Sequence, residues 1–251
     1  MATAPQKSEH PDDTVHFILQ GKGGVGKSFV SAILAQFLSR KTSKLHCFDT
    51  DPVNATFAQY KSLNAEHINV LKRGTLNEKR FDELIERVCQ AIGVCIIDTG
   101  ATTFVPLWNY ILENEILQFL TSRSRKVLVH SVVAGGQALT DTLNGFHRMA
   151  ETASEKSVIV WLNEYFGEVI KDGKTFEQFR VAEEHAGKIL GSVLIRERNP
   201  QTYGDDMRHM LEQRFTFEEA IQHSSFTLVS KQRLVIIRRD LFDQLEQLGM
   251  A

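Results

Sequence analysis

The sequence predicts an α/β fold: a doubly wound, mostly parallel sheet with helices on both faces. Two observations carry this. Six short apolar runs recur along the chain, and helical patterns fill the stretches between them. A glycine-rich loop, "GKGGVGKS" (21–28), joins the first run to the first helical pattern. Near-continuous runs of Val, Ile and Leu mark strands buried on both faces. Their alternation with helices calls for parallel strands joined by crossovers.

The strand runs are "VHFIL" (15–19), "KLHCF" (44–48), "VCIID" (94–98), "KVLVHSVV" (126–133), "SVIVWLN" (157–163) and "ILGSVLI" (189–195). "KSFVSAILAQFLSR" sets Val30, Ile33, Leu34, Phe37 and Leu38 on one helical stripe, and "NEKRFDELIERVCQ" does the same with Phe81, Leu84, Ile85 and Val88. "GGQALTDTLNGFHRM" follows the strand at 126–133. Thr175 with Gln178 and Thr216 with Glu219 read as capping boxes, and "KDGK" (171–174) as a tight turn. "FVPLWNYILENEILQFL" (104–120) reads as a core helix or as a surface for a partner. The final stretch, "VSKQRLVIIRRDLFDQLEQLG", is an amphipathic helix with Leu234, Ile237, Leu241, Leu245 and Leu248 on its stripe.

With 251 residues, the chain fits one α/β domain of about 200–250 residues. Residues 1–13 read as a mobile polar tail and 14–251 as a single domain ending in that amphipathic helix. The net charge, 29 − 31 = −2, excludes a generally basic nucleic-acid binder but leaves a local basic patch open. Lys231, Arg233, Arg238 and Arg239 supply one near the C-terminus. Asp240, Asp243 and Glu246 interrupt it, which weakens both a DNA-phosphate and a membrane-surface reading. Cys47, Cys89 and Cys95 form no metal or redox spacing and read as structural thiols of a reducing compartment. The N-terminus has no apolar signal segment, and no apolar run approaches the roughly 20 residues of a membrane helix. The expected location is cytoplasmic.

The loop 21–28 matches GxxxxGK[ST] and has the strand before it and the helix after it that the motif requires. Glycines allow backbone N–H groups to converge on an anion, and the helix N-terminus adds its dipole. Gly21, Lys22, Gly23, Gly24, Val25, Gly26, Lys27, Ser28 and the adjoining Phe29 are therefore the predicted phosphate cradle. Lys27 reaches the β- and γ-phosphates, and Ser28 ligates Mg²⁺. Asp49 and Asp51 close the second strand run, and Asp98 closes the third, at the strand ends where such a site needs carboxylates. Gly100 can offer its backbone N–H to a γ-phosphate. Asp49 and Asp51 also fit the plainer role of turn or cap aspartates before "NATFAQY".

Lysine directly after the first glycine, followed by "GGVGKS", resembles the deviant Walker A loop of the ParA/MinD ATPase superfamily. "DTDP" resembles its A′ box, and "IIDTG" its Walker B and switch II. Within the superfamily, "LQGKGGVGKS", "DTDPVNATF", "FVPL", "VVAGGQAL", "VWLN", "GKTFEQ", "TYG" and "KQRL" resemble the TraL family of conjugal transfer proteins, over nearly the whole chain. The resemblance implies ATP and ADP as ligands with Mg²⁺. It makes Asp51 the residue that positions the attacking water, and Asp49 and Asp98 the Mg²⁺-shell carboxylates. Asn163 becomes a reader of the adenine edge. Lys22 becomes a catalytic lysine, beside Lys27, that crosses to the nucleotide of a second subunit. It further implies an ATP-dependent homodimer, slow hydrolysis, and conjugation partners such as a relaxosome or secretion machinery. Val53 stands where the family has Gln, and "GATTF" (100–104) replaces a Pro-rich switch II. Both departures bear on hydrolysis more than on binding. A non-hydrolysing nucleotide-binding scaffold and a P-loop kinase or ligase remain alternatives. The latter has only Thr102, Thr103 and Asn109 as substrate-side polar candidates.

Overall fold

All six apolar runs form strands, and these lie side by side in one parallel sheet. The computed structural model describes residues 13–249; residues 1–12 of the expected tail, with 250 and 251, lie outside the described residues. Asp13, expected in the tail, is tied to the sheet instead. Its carboxylate accepts the Gly93 N–H at 2.8 Å and its carbonyl accepts the Lys126 N–H at 3.1 Å.

In chain order the elements are β1 (Thr14–Leu19), α1 (Lys27–Leu38), β2 (Leu45–Asp49), β3 (Glu66–His67), β4 (Leu71–Lys72), β5 (Thr75–Leu76), α2 (Lys79–Gln90) and β6 (Val94–Asp98). Then come α3 (Ala101–Glu113), α4 (Ile116–Ser122), β7 (Lys126–Ala134), α5 (Leu139–Ala150), β8 (Val158–Asn163), α6 (Arg180–Glu184) and β9 (Ile189–Ile195). The chain closes with α7 (Asp205–Glu212), α8 (Phe217–Gln222) and α9 (Leu228–Gln247). The sheet order is β3-β2-β6-β1-β7-β8-β9, parallel throughout. The edge strand β3 and the antiparallel β4–β5 hairpin escape a sequence reading, because two residues carry no detectable period.

Period-two alternation divides the core. Val15, Phe17 and Leu19 of β1 face one layer, with Phe81 and Leu84 of α2, Trp108 of α3, Leu120 of α4 and Phe146 of α5. Ile18 faces the other, with Ile33 of α1, Met210 of α7, Phe217 of α8 and Leu234 of α9. The doubly wound arrangement follows. The segment 104–120 packs into the first layer through Phe104, Leu107, Trp108, Ile111, Ile116, Leu117 and Leu120, which is the core reading of that stretch. Both capping boxes form, and at Lys171–Lys174 Asp172 and Gly173 take positive φ in the turn.

The α9 stripe docks inward through Leu234, Ile237, Leu241 and Leu245. Two of the four cations near its start are already matched: Arg233 pairs with Asp206, and Arg238 with Glu218 at 2.9 Å. Among the described residues, no helix is long and apolar enough to cross a membrane.

Polar order crosses the sheet interior at β1, β7 and β8. The Trp161 indole N–H can only donate, and it gives to His130 Nδ1 at 2.9 Å. His130 must then carry its hydrogen on Nε2 and donate to His16 Nδ1, also at 2.9 Å. That leaves the His16 Nε2 hydrogen without a partner among the described residues. Burial, with Lys126 adding to it, holds His16 at about 3; burial and then His16 hold His130 well below the usual histidine value. Both rings are neutral in the fold, whereas the unfolded chain takes up their protons below pH about 6.5. Stability is therefore full above pH about 6.5 and declines as pH falls from there toward 3, by up to about 1.4 kcal/mol per pH unit for each histidine. Asp98, whose carboxyl burial raises to about 7, takes up its proton over the same range and opposes the histidines, so thermal melts from pH 7.5 to 4.5 are compared between proteins. A His16→Leu/His130→Leu protein should start lower at pH 7.5 but decline less steeply; an equal slope would contradict the assignment.

Candidate functional site

The sheet topology selects one place for a ligand. From the central β1 the chain passes through α1 to β2, leaving a gap that β6 later fills. It then crosses to β7 on the other side of β1. The crevice at the carboxyl ends of β1, β2 and β6 lies at this reversal, where ligands of open parallel sheets bind.

The loop 21–28 enters that crevice. Gly24 and Gly26 take φ of 74° and 100°, which side-chain-bearing residues adopt at a cost. Gly26 is the N-cap of α1 and no side chain caps that end, so the first N–H groups of the helix face the crevice. A Cβ on Gly26 would also come within 3.0 Å of the Asn163 amide. The Lys27 ammonium bends back onto the Lys22 carbonyl at 3.0 Å, and burial lowers its pKa while Asp98 and Asp51 pull it back up. A cation held on a neutral carbonyl in a partly dry pocket gains by meeting an anion.

Asp98 lies beneath the loop, fully buried. It accepts from the Ser28 hydroxyl at 2.6 Å and the Ser31 hydroxyl at 2.8 Å. Burial, reinforced by Asp49, pushes its carboxyl up to about 7. Asp98 does not itself line the cavity but lies directly behind Ser28, which does, so a divalent cation set against Ser28 would also ease the disfavoured charge of Asp98. Ser28, with Asp98 behind it, is the residue that would hold Mg²⁺.

Asp49, expected as a metal-shell carboxylate, is engaged by backbone as well. It pairs in register with Asp98, but its two oxygens accept the N–H groups of Asp51 and Ala58, each at 2.9 Å. Those bonds fold the 50–58 segment, which is the plainer turn role. Asp51 lines the cavity, and its Oδ1 accepts the N–H of Val53 at 2.9 Å and of Asn54 at 3.3 Å. Gly100 packs against it: a Cβ there would lie 2.9 Å from the Asp51 carboxyl carbon and oxygen.

Asn163, at the end of β8, braces the loop. Its amide donates to the Val25 carbonyl at 2.9 Å and accepts from the Tyr165 N–H at 3.1 Å. It also lines a second cavity of about 480 Å³, with Phe29, Tyr203, Met207 and Leu211. The phosphate-side cavity, about 420 Å³, is lined by Gly23, Gly24, Gly26, Lys27, Ser28, Asp51 and Thr102 among others. The two share Gly24, Gly26, Phe29, Leu211 and Arg214. One half is glycine-lined and carries Lys27, Ser28 and Asp51, and the other is more apolar, as an anionic tail and a flat ring system require.

Lys22 stands apart. Its side chain does not line the cavity; the ammonium sits 2.7 Å from Asp141 on α5, both groups being about half exposed. Gln20 links the same elements, donating to the carbonyls of Val132 at 2.9 Å and Thr142 at 3.0 Å. Sequence reasoning missed Ser31, Gln20, Asp141 and Arg214. Ser31 was findable, three residues after Ser28 and hence on the same face of α1. The others meet the site only through the fold.

A glycine-rich loop, an uncapped helix start, a buried lysine and a buried carboxylate on a doubly wound parallel sheet define a P-loop nucleotide-binding protein. Residues 16–226 match the CobQ/CobB/MinD/ParA nucleotide binding domain, and the chain belongs to that family, whose general kind is the ATPase. Two proteins of Escherichia coli called Protein TraL are 43% and 41% identical to it over 233 residues, 92% of this chain and 97% of each relative. Among solved structures, the MinC:MinD cell division complex of Aquifex aeolicus matches with a TM-score of 0.49 at 13% identity, over 93% of this chain and 96% of that one. A putative plasmid partition protein of Borrelia burgdorferi bound to AMPPNP matches with a TM-score of 0.48 at 17% identity, over 93% and 99%.

Lys27→Ala removes the buried cation from the phosphate cavity. Calorimetric titration should show ATP affinity lowered by about 100-fold, the upper end for a charged hydrogen bond. Unchanged affinity would contradict the assignment of this loop.

Proposed function

We propose that the protein is a nucleotide-dependent switch. It binds ATP with Mg²⁺ in the cavity between the 21–28 loop and Asp51, pairs with a second copy of itself, and hydrolyses ATP slowly. Sequence similarity to the TraL proteins supports a role in plasmid conjugative transfer, with a relaxosome or secretion apparatus as partner. The free thiols and the use of ATP suit a cytoplasmic location.

One observation carries the reading: Lys22 extends outside its own phosphate cavity, to Asp141. A lysine serving its own nucleotide has no reason to leave that cavity. Two ATP molecules brought face to face repel, and a lysine from each subunit placed on the opposite nucleotide offsets this in a water-poor interface. Ser28, with Asp98 behind it, would hold Mg²⁺, which would supply further neutralisation of phosphate charge. Lys27 holds the phosphate in its own subunit. Asp51, kept in place by the amides of Val53 and Asn54, orients the attacking water. The pair Lys22–Asp141 then marks the resting subunit, and its loss accompanies assembly.

The kinase or ligase alternative keeps few of its expected polar residues at the cavity, although Asn54, Thr56 and Tyr60 also line it. Thr103 is buried and donates to the Thr50 carbonyl, and Asn109 accepts from Arg148, which leaves Thr102 as the one of the three expected residues that lines the cavity. Phosphate release with Mg²⁺-ATP, alone and with DNA or transfer proteins, separates the switch from a scaffold that binds without turnover.

Light scattering tests the second lysine. Lys22→Ala should keep ATP binding and lose ATP-dependent dimerisation. Asp141→Ala removes an exposed ion pair worth up to about 1 kcal/mol from each of the two subunits, so its dimer should appear at up to about 30-fold lower protein concentration. A Lys22→Ala protein that dimerises normally with ATP would sink the trans role.

Turnover tests Asp51 through its neighbour. A methyl at Gly100 displaces the Asp51 carboxylate, and a small misplacement of a water-orienting group costs roughly 100-fold in rate. Gly100→Ala should therefore bind ATP within about threefold of the parent while hydrolysis falls by at least about tenfold. Parental turnover would argue against Asp51 in that role.

A further inference from the structure

Arg214 stands in the four-residue connection between α7 and α8, nearly two hundred residues from the glycine-rich loop. It nonetheless lines both halves of the site, at the boundary where the polar cavity meets the apolar one. Phe29, on the first turn of α1, lines that boundary with it. Arg214 holds a positive φ of 55° although it is not glycine. A backbone conformation of this kind needs the surrounding structure to impose it.

The guanidinium is anchored at one side. Its Nε donates to the Gln59 side-chain oxygen at 3.0 Å, and one terminal nitrogen donates to the Leu211 carbonyl. No carboxylate pairs with it among the described residues, in contrast to Arg198, Arg208, Arg233 and Arg238. It therefore presents unmatched positive charge and free N–H groups at the boundary of the site. Gln59 continues the connection. Its amide donates to the Asn54 carbonyl at 2.8 Å, and the Asn54 N–H donates to Asp51 at 3.3 Å. Arg214 is thus linked through two residues to the carboxylate on the opposite wall.

We infer that Arg214 is a nucleotide-binding residue, supplied by the same subunit, that engages the phosphate nearest the ribose. The inference rests on the nucleotide reading of this site and names a contact that reading does not contain. The position follows from geometry. Lys27, Ser28 and the start of α1 occupy the inner end of the phosphate cavity, and the apolar cavity takes the base. The phosphate between them lies at the boundary that Arg214 lines. ADP and ATP share that phosphate, so Arg214 recognises both. Through Gln59 and Asn54, its engagement also steadies the segment that carries Asp51.

Calorimetric titration of full-length protein with ATP and with ADP tests this, using Arg214→Met, Arg214→Gln, Arg214→Lys, Gln59→Ala and Lys27→Ala, each first shown to be folded by its thermal melt. Losing a charge-assisted contact to phosphate should weaken both nucleotides on the order of 10-fold in Arg214→Met and Arg214→Gln. Arg214→Lys, which keeps the charge, should lose less. The gap from the parent protein should narrow as salt is raised, which loss of a neutral structural bond does not produce. Parental affinity in Arg214→Met and Arg214→Gln, while Lys27→Ala loses binding, would overturn the inference and leave the nucleotide reading standing. The same would follow if Gln59→Ala reproduced the whole loss with no salt dependence. Parental affinity in Lys27→Ala would overturn the nucleotide reading and this inference with it.

Discussion

A single buried carboxylate organises this site. Asp98 is fully enclosed at the end of β6 and needs partners for its charge. Ser28 and Ser31 supply two, from successive turns of α1, and Lys27 supplies electrostatic support. These contacts fix the start of α1 over β6. They also set the direction in which its uncapped N–H groups point. The neighbouring backbone is bound to the same strand end: the Thr50 N–H and hydroxyl both donate to the Asp98 carbonyl at 2.9 Å, and the Thr99 hydroxyl donates to the Ile18 carbonyl at 2.7 Å. Three strand ends and one helix start are thereby held as a unit.

The charge balance around that unit is deliberately incomplete. Burial weakens both the positive charge of Lys27 and the negative charge of Asp98. Each gains when an ion of opposite sign enters. Cations differ in where they are kept. Lys27 is buried on a carbonyl of its own loop, Arg214 waits at the boundary of the two cavities, and Lys22 is parked outside on Asp141. The exposed pair with Asp141 is weak enough to be exchanged, which a buried pair would not be. Gln20 ties α5 to the end of β1, so the position of Asp141 relative to the loop is set by the core rather than by the surface.

Much of this was legible beforehand. The six strand runs were readable because strands covered on both faces are apolar at every position, and the structure places each within a residue or so of its expected bounds. The α2 stripe was readable because Phe81, Leu84, Ile85 and Val88 are the residues it buries. Gly26, Lys27, Ser28, Asp51 and Asp98 were readable because their spacing and their strand-end positions reflect local backbone geometry. That Asp49 holds two loop amides was not readable; the aspartates of "DTDP" look alike until the chain after them is folded. His16 and His130 sit inside apolar runs, and nothing local says that they face one another across β1 and β7.

The sequence alone determined the alternation of strands and helices, the anion-binding loop and the carboxylates that end two strands, because each depends on neighbours within a few residues. Tertiary structure decided which of those carboxylates is held by serine hydroxyls of α1 and which by backbone N–H groups. It also decided that Asp141 meets Lys22, and that Arg214 closes the boundary between the cavities. Those pairings join residues more than a hundred positions apart. They exist only because the order β2-β6-β1-β7-β8 brings distant strand ends, and the helices beside them, to one crevice.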